Sequence, residues 1–334
     1  MEFKSTDLIL LTGAGFTKNF DGFLGSEMWA KVFNNTLIQN NEKLRDFLQD
    51  DYDFESVYSK IETDPKLSEG DKKSFQVAIE SAYKSLDDAV RNWEFNSDNP
   101  TALDVYKLFG SNGLLESLFS NSGQSQGFIF TLNQDLLLER RLGHRVVGVP
   151  AFPQEFYQFG GKLEFKNNFF VTLPKENIDS AIENSIKNHA GIHYIKLHGS
   201  YGWKSFDGSN QMVIGKSKWE SIKKEPLLSA YFYIFQNIIQ EGNKKILIIG
   251  YGFKDEHVNK LLLEGVQKHN LKLYIITTMT PQKFDDNLRN GQYYALDLKK
   301  GISGFFPYRL AEILPPNQNG SVHLDEIKKA LLNR

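Results

Sequence analysis

The sequence predicts an α/β protein: a doubly wound, Rossmann-like, mainly parallel sheet carrying a helical insertion. Three observations predict it. Strand-length runs at residues 7–12, 127–132, 192–197, 245–249 and 271–277 are largely apolar rather than alternating, as in strands buried on both faces. Stretches with apolar residues at helical spacing separate these runs. Several runs end in glycine or polar residues, at Gly13, Asn133-Gln134-Asp135, His198-Gly199-Ser200 and Gly250-Tyr251-Gly252. In an open parallel sheet such residues share the C-terminal strand edge, where ligands sit.

The first run passes into Thr12-Gly13-Ala14-Gly15-Phe16-Thr17. Glycines let a chain turn sharply and approach a ligand closely, and a helix that starts after them offers free N–H groups to phosphate. A nucleotide-phosphate site at 12–17 is one reading; a tight strand-to-helix turn without a ligand is the other. A third glycine three residues after Gly15 would complete the dinucleotide fingerprint, but Lys18 stands there, and no Gly-Lys-Ser/Thr follows to make a P-loop.

Residues 19–25, rich in glycine and aromatics, suit a ligand-covering loop. Ser26 suits an N-cap for a helix that sets Trp29, Val32 and Phe33 on one side. Residues 35–122 read as mostly helical, with Leu44, Phe47 and Leu48, then Phe75, Ile79, Ala82 and Tyr83, then Leu103, Tyr106 and Phe109 at helical spacing. The division is thus 1–34 and 123–334 for the sheet domain, with 35–122 as a helical subdomain. Asp50, Asp51 and Asp53 read as a solvated cap or loop.

Residues 142–190 are irregular, with a short helix near 177–188. Helices are expected at about 226–241 and from Asp255, an N-cap, to about His269. A short helix follows Pro281, Tyr293 to Leu296 reads as a last strand, and a terminal helix spans 325–332.

Composition narrows the function. The 334 residues carry a formal net charge of -2 without a basic stripe, so direct nucleic-acid binding is not indicated. There is no cysteine, which excludes disulfides, a thiolate nucleophile and a cysteine zinc site. No run approaches a membrane span, and no leader pattern opens the sequence. A cytoplasmic protein is expected.

Taken in order, Thr-Gly-Ala-Gly-Phe-Thr, Thr-Leu-Asn-Gln-Asp, Leu-His-Gly-Ser and Gly-Tyr-Gly-Phe resemble the sirtuin family. The likeness covers about residues 6–31, 127–139, 192–203 and 245–260, and more loosely 272–279. It does not cover the helical segment or 145–190.

The resemblance implies NAD as ligand and assigns residues. Gly13, Ala14, Gly15 and Thr17, with Phe16 between them, match the turn that holds the pyrophosphate. Asn133 matches an asparagine beside the nicotinamide ribose. Asp135 matches an aspartate at the nicotinamide amide, though a plain charge at a helix start is an equal reading. His198 matches the catalytic histidine. Gly250 and Gly252 match the turn beside adenosine, and Thr277 and Thr278 approach the adenine ribose. His193 packs within the sheet and has no role. His257 follows the Gly250 turn and reads as a solvated helix start, with contact to a ligand as the alternative, and Tyr201 and Trp203 line either pocket or core.

The sequence also departs from the protein-deacylating sirtuins. It lacks the four-cysteine zinc module, Gln134 stands where an apolar residue is usual, and Phe20-Asp21-Gly22-Phe23 stands near the usual Asp-Phe-Arg. It looks more like the zinc-free, NAD-hydrolysing branch found in prokaryotic antiviral defence. That branch implies an NADase acting as an NAD-depleting effector in abortive infection, without a metal. It also implies a homo-oligomer and a HerA-type ATPase partner. The alternatives are an NAD-dependent deacylase or ADP-ribosyltransferase, and a non-catalytic sensor of NAD or ADP-ribose.

Overall fold

The computed structural model describes residues 5–94, 126–142, 146–148, 156–159, 162–165, 170–171, 175–188, 192–205, 208, 211–291, 293–316 and 320–332, with 103, 107–108 and 114–115. Tyr106, Phe109 and much of the expected helical stretch 95–122 lie outside the described residues, as does much of 142–190.

The main sheet has seven strands, all paired in parallel. They are β1 (Ser5–Thr12), β2 (Gln126–Thr131), β3 (Val146–Gly148), β7 (Ile192–Lys196), β9 (Lys245–Ile249), β10 (Lys272–Ile276) and β11 (Ile302–Phe306), in the order β11-β10-β9-β1-β2-β7-β3. The antiparallel pair β4 (Phe156–Phe159) and β5 (Lys162–Phe165) and the parallel pair β6 (Phe170–Val171) and β8 (Trp203–Lys204) lie outside it. From β1 the chain builds outward through β2, then returns to add β9 on the other flank. The strand order therefore reverses beside β1, which places a crevice at the C-terminal edge there.

Both faces of the sheet are covered. Ile9, Leu11, Phe128, Phe130, Ile246 and Ile248 face one apolar cluster. Into it pack α8 (Lys175–Asn188), α10 (Pro226–Gln240), α11 (Glu256–Lys268) and α12 (Pro281–Arg289). Leu8, Leu10, Ile129, Leu247 and Ile249 face the other, with α2 (Gly25–Phe33), α3 (Thr36–Gln39), α4 (Glu42–Asp50), α5 (Phe54–Thr63) and α6 (Glu69–Asn92). α13 (Leu310–Ile313) and α14 (Val322–Leu332) join that second layer. Alternate residues of β1 thus feed opposite layers, and each fully buried Leu, Ile or Phe contributes about 1.5–3 kcal/mol. Among the described residues no helix is long and apolar enough to cross a membrane.

Three local expectations are corrected. α2 begins after Leu24, not Ser26: the Glu27 carboxylate accepts from the Leu24 N–H at 2.8 Å and satisfies the helix start. Residues 293–296 form a turn, and the last strand is β11. Asp255 stands at the N-cap of α11 but makes no side-chain cap bond, because its carboxylate is engaged by a lysine. Asp53 does cap α5, accepting from Glu55 N–H at 3.1 Å.

The register aligns the strand ends. Thr12 pairs with Thr131 and Ile249, Thr131 with Lys196, Ile249 with Ile276, and Ile276 with Phe306. The residues that follow each end, including Gly13, Gly250 and Thr277, therefore come to one edge.

Candidate active site

The turn after β1 is built against the turn after β9. Gly13 N–H donates to the Ile249 carbonyl at 3.0 Å and Gly15 N–H to the Gly250 carbonyl at 2.9 Å. A Cβ on Gly13 would lie 2.7 Å from the Gly250 oxygen. Gly250 has φ +66, and a Cβ there would strike the Phe16 backbone nitrogen. Both glycines are thus required by the backbone contact itself. Gly252 differs, because a Cβ there would meet nothing closer than 3.9 Å.

Past this junction, α1 (Ala14–Thr17) is a single turn. The Phe16 side chain is fully buried beside Phe20, with ring centroids 5.7 Å apart, so it belongs to the core and only its backbone stands at the turn. Thr17 is buried too, and its hydroxyl donates to Asp135 Oδ2 at 2.9 Å. Asn133 Nδ2 donates to the Gly13 carbonyl at 2.9 Å and to Thr17 Oγ1 at 2.7 Å. Asn133, Thr17 and Asp135 form one donor-to-acceptor chain across β1 and β2.

Asp135 also accepts from Leu137 N–H at 2.9 Å, at the start of α7 (Leu137–Leu142). Burial pushes its carboxyl above the usual range, against the opposing pull of Lys196 and these hydrogen bonds. Lys196 donates to the Asp135 backbone carbonyl and pairs with Glu139 at 2.8 Å, both side chains being 1% exposed. The Tyr194 hydroxyl donates to the other Glu139 oxygen at 3.0 Å. This buried network stiffens the floor under β2 and β7.

Gln134 is a clamp. Its Nε2 donates to the carbonyls of Val213 at 2.7 Å and His198 at 3.2 Å, and its Oε1 accepts from Tyr83 of α6. Its backbone carbonyl receives Tyr201 N–H at 2.7 Å. An apolar residue could make none of the side-chain bonds.

His198 follows β7 and is 2% exposed. Its Nε2 lies 2.9 Å from Nε2 of His257, in the first turn of α11. Burial holds both imidazoles neutral, His198 well below its ordinary value and His257 down to about 4. Asp255 counters this and Lys218 reinforces it. Lys218, at the start of α9 (Lys218–Lys224), bridges Asp255 and Glu55 of α5, each at 2.7 Å. Burial alone would discharge this lysine and raise Asp255. The pairing instead holds Lys218 up and Asp255 down.

One cavity of about 1430 Å³ opens over this edge, above the 300–1,000 Å³ usual for ligand pockets. Gly13, Ala14, Gly15, Asn133, Asp135, His198, Gly250, Gly252, Thr277 and Thr278 line it together. Asn19, Phe23, Leu24 and Gly25 of the glycine-aromatic loop line it too, as do Asp51, Tyr52 and Asp53. Phe16, Thr17, Tyr201 and Trp203 are not among its walls. Trp203 packs in the core near Tyr231 at 6.5 Å, and His193 is fully buried against Phe128 at 5.2 Å. Thr277 accepts from Met279 N–H at 3.2 Å. His257 is buried and lines the cavity rather than starting its helix in solvent, and sequence reasoning missed Lys218 and Glu55 as members of the site.

Residues 127–296 match the family model described as SIR2-like domain, just over half of the chain. The chain belongs to that family. No curated protein matches it. The matched SIR2-like segment begins in β2 and takes in Asn133, Asp135, His198, Gly250, Gly252, His257 and Thr277. The Gly13–Thr17 turn lies outside it and joins the SIR2-like site through the parallel pairing of β1 with β2 and β9. Membership places the chain among NAD-utilising proteins. Among the described residues no group of three or more His, Cys, Asp or Glu is arranged to hold a metal ion.

Proposed function

We propose that this SIR2-like protein is an NAD glycohydrolase that cleaves the nicotinamide–ribose bond and releases nicotinamide and ADP-ribose. The observation that carries the reading is the shared cavity, which brings Asn133 and a neutral His198 to the same strand edge as the Gly13 and Gly250 turns. In this reading residues 1–34 and 123–334 form the NAD-binding domain and 35–122 an inserted helical subdomain.

The chemistry follows from the residues. As the bond breaks, its electron pair leaves with nicotinamide and positive charge develops at the sugar carbon. Rate then depends on a held sugar, a fixed pyrophosphate and an aimed water. The turn at Gly13, Ala14 and Gly15 and the Gly250 turn hold the pyrophosphate and adenosine half, with Gly252 and Thr277 beside the adenosine. Asn133 has its nitrogen committed to Gly13 and Thr17, which leaves its carbonyl oxygen to orient the ribose or the water. A neutral imidazole centre at His198 takes up the proton that the water loses. None of these steps calls for a metal.

The NADase is further proposed to act as an NAD-depleting effector of antiviral defence in the cytoplasm. Such an enzyme must be restrained, which fits a homo-oligomer and a HerA-type ATPase partner. The test is incubation of the purified chain with NAD while nicotinamide and ADP-ribose are followed, beside His198→Ala and Asn133→Ala. Release by wild type and loss in both variants supports the reading. Release unaffected by either substitution overturns the site. Bound but intact NAD favours a sensor, and products that appear only with a protein acceptor favour a deacylase or ADP-ribosyltransferase.

A further inference from the structure

The cavity has an end that the chemistry at Asn133 and His198 does not use. β10 and β11 pair as far as Ile276 and Phe306, and just past that pair the Thr277 N–H donates to the Phe306 carbonyl at 3.1 Å. The chain leaving β11 therefore runs beside the chain leaving β10, and Thr277, Thr278, Tyr308 and Arg309 line the cavity there. On the opposite flank of β10, the Gly250 N–H donates to the Ile276 carbonyl at 3.3 Å. The loop from Gly250 to Asp255 thus closes the same end, and Gly252 and Lys254 line it.

That loop is held in one shape. Phe253 is buried with φ +56, a left-handed backbone that a bulky residue keeps only where its surroundings impose it. The Asn259 amide donates to the Phe253 carbonyl at 2.8 Å, and Asn287 of α12 donates to the Gly252 carbonyl at 3.1 Å. Lys254 is thereby set at the exposed rim of the cavity. Arg309 is exposed on the same rim. Among the described residues neither cation has an ion-pair partner. The carboxylates that line the cavity come from α5 and the residues before it, from Asp135, from α9, and from α11 with Asp255. Asp255 is engaged by Lys218 at 2.7 Å, and Glu256 makes no ion pair with Lys254. The segments after β10 and β11 contribute no carboxylate to the wall.

In dinucleotide sites built for NAD, an acidic residue binds the 2′-hydroxyl of the adenosine ribose, whereas a nearby arginine accommodates a 2′-phosphate. A carboxylate at that place repels the phosphate; here threonine hydroxyls and two cations stand instead. We propose that this end of the cavity recognises a phosphate on the 2′ carbon of the adenosine ribose, with Arg309 and Lys254 as the specificity-determining residues. NADP is then a substrate of the protein and binds more tightly than NAD. This rests on the cleavage reading above, which sets the adenosine half beside Gly252 and Thr277. The planar guanidinium of Arg309 matches two phosphate oxygens at once, and Lys254 adds a compact charge. Thr277 Oγ1 already accepts from the Met279 N–H at 3.2 Å, so its own hydrogen is left to donate. The bond that breaks lies at the far end of the ligand and is the same in both dinucleotides. Water adds to the sugar carbon and gives its proton to His198, nicotinamide leaves with the electron pair, and the second product carries the 2′-phosphate of ADP-ribose unchanged.

The test reads binding and turnover separately on the full chain. By calorimetry, 2′,5′-ADP is expected to bind about tenfold more tightly than AMP, the low end of what hydrogen bonds to charged groups contribute. The isomer 3′,5′-ADP, with the same charge one carbon away, is expected to gain no more than about threefold, because the guanidinium fork is directional. NADP is expected to show the 2′-phosphate preference over NAD in affinity and in kcat/KM. Arg309→Ala brings that ratio toward one, Lys254→Ala lowers it in part, and Arg309→Glu inverts it. Each ratio is taken within one variant, so a general loss of folding does not imitate the effect. Equal binding of AMP and 2′,5′-ADP overturns the proposal, as does an equal gain from the 3′-phosphate or a preference that survives Arg309→Glu. NAD and NADP bound and cleaved alike overturn it and leave the cleavage reading standing. Tighter binding of NADP with no nicotinamide released from either dinucleotide supports the phosphate site and sinks the cleavage reading. Failure of both dinucleotides to bind sinks the two together.

Discussion

The Asn133 amide nitrogen lies 2.7 Å from the Thr17 hydroxyl and 2.9 Å from the Gly13 carbonyl. One side chain after β2 therefore holds the turn after β1, and the Thr17 hydroxyl in turn donates a hydrogen bond to Asp135. In Asn133→Asp the new carboxylate cannot donate to either acceptor, and it adds a charge near Asp135. Nicotinamide release is expected to fall by about 10²–10³, as when a preorganised polar group is lost. Thr17→Val keeps the shape but strands Asn133 and Asp135, which is expected to cost about 1–3 kcal/mol. Urea unfolding of the two variants checks the stability part, and product release checks the rate.

The glycines separate fold from ligand. Gly250→Ala forces a Cβ into the Phe16 backbone at a positive φ, and a loss of several kcal/mol, at least about 3, is expected. Gly252→Ala meets only the Lys254 side chain, at an ordinary contact distance of 3.9 Å, so its melting temperature is expected to stay within a few degrees of wild type. If the adenosine half of NAD passes over Gly252, its KM rises with kcat little changed. A thermal melt beside a rate-against-NAD curve separates the two positions.

Lys218 pairs with both Glu55 and Asp255, and among the described residues it is the one cation that bridges them. Lys218→Met leaves two carboxylates facing each other without it, and removal of one partner of a buried pair costs about 3–5 kcal/mol. The deficit is expected to shrink as pH falls toward 4, where a carboxyl can take a proton, and to shrink when Glu55→Gln is added. A double-mutant cycle by denaturant melts at pH 7.5 and pH 4.5 measures both effects.

The two imidazoles make the fold acid-sensitive. His257 is held down to about 4 in the folded protein, against about 6.5 in an unfolded chain. Between those values the unfolded chain binds a proton that the folded one does not, so stability rises with pH there and falls as pH drops. A pKa difference of one between the two states is worth about 1.4 kcal/mol, so His257 is expected to account for a loss on the order of 3 kcal/mol between pH 6.5 and 4. His198, displaced in the same direction, adds to it. Urea midpoints for wild type and His257→Gln across this range are expected to diverge, with the variant showing the flatter slope.

Much of this fold is legible in the sequence because burial on both faces writes a strand as an unbroken apolar run. The runs at β1, β2, β9 and β10 show it, and the residues that end them lead to the strand edge. β11 hides because it is an edge strand with Ser303 and Gly304 inside it and only Phe306 fully buried. The nearby run from Tyr293 to Leu296 imitates a strand, yet Tyr293 is 65% exposed. Asp255 looks like a cap from its position before a helix, and only its distance to Lys218 shows otherwise. Glu55 and Lys218 carry no local mark of their pairing, since it is made across the fold by packing. His257 had a signal: an Asp and a His two apart, at a helix start, after the last of the four motif-bearing strand ends. Its meaning depends on His198 being within reach, which spacing alone does not give.

The glycine turn after β1 leans on the turn after β9, and β1 itself pairs with β9 along its length. On a ribosome the first motif therefore emerges long before the wall it rests against. At about 5–20 residues per second, the roughly 230 residues between them take on the order of tens of seconds to be made. His257, a few residues beyond Gly250, emerges later still. A growing chain thus carries an unfinished crevice until β9 has been made. The crevice becomes complete only once β9 and the turn at Gly250 have been made.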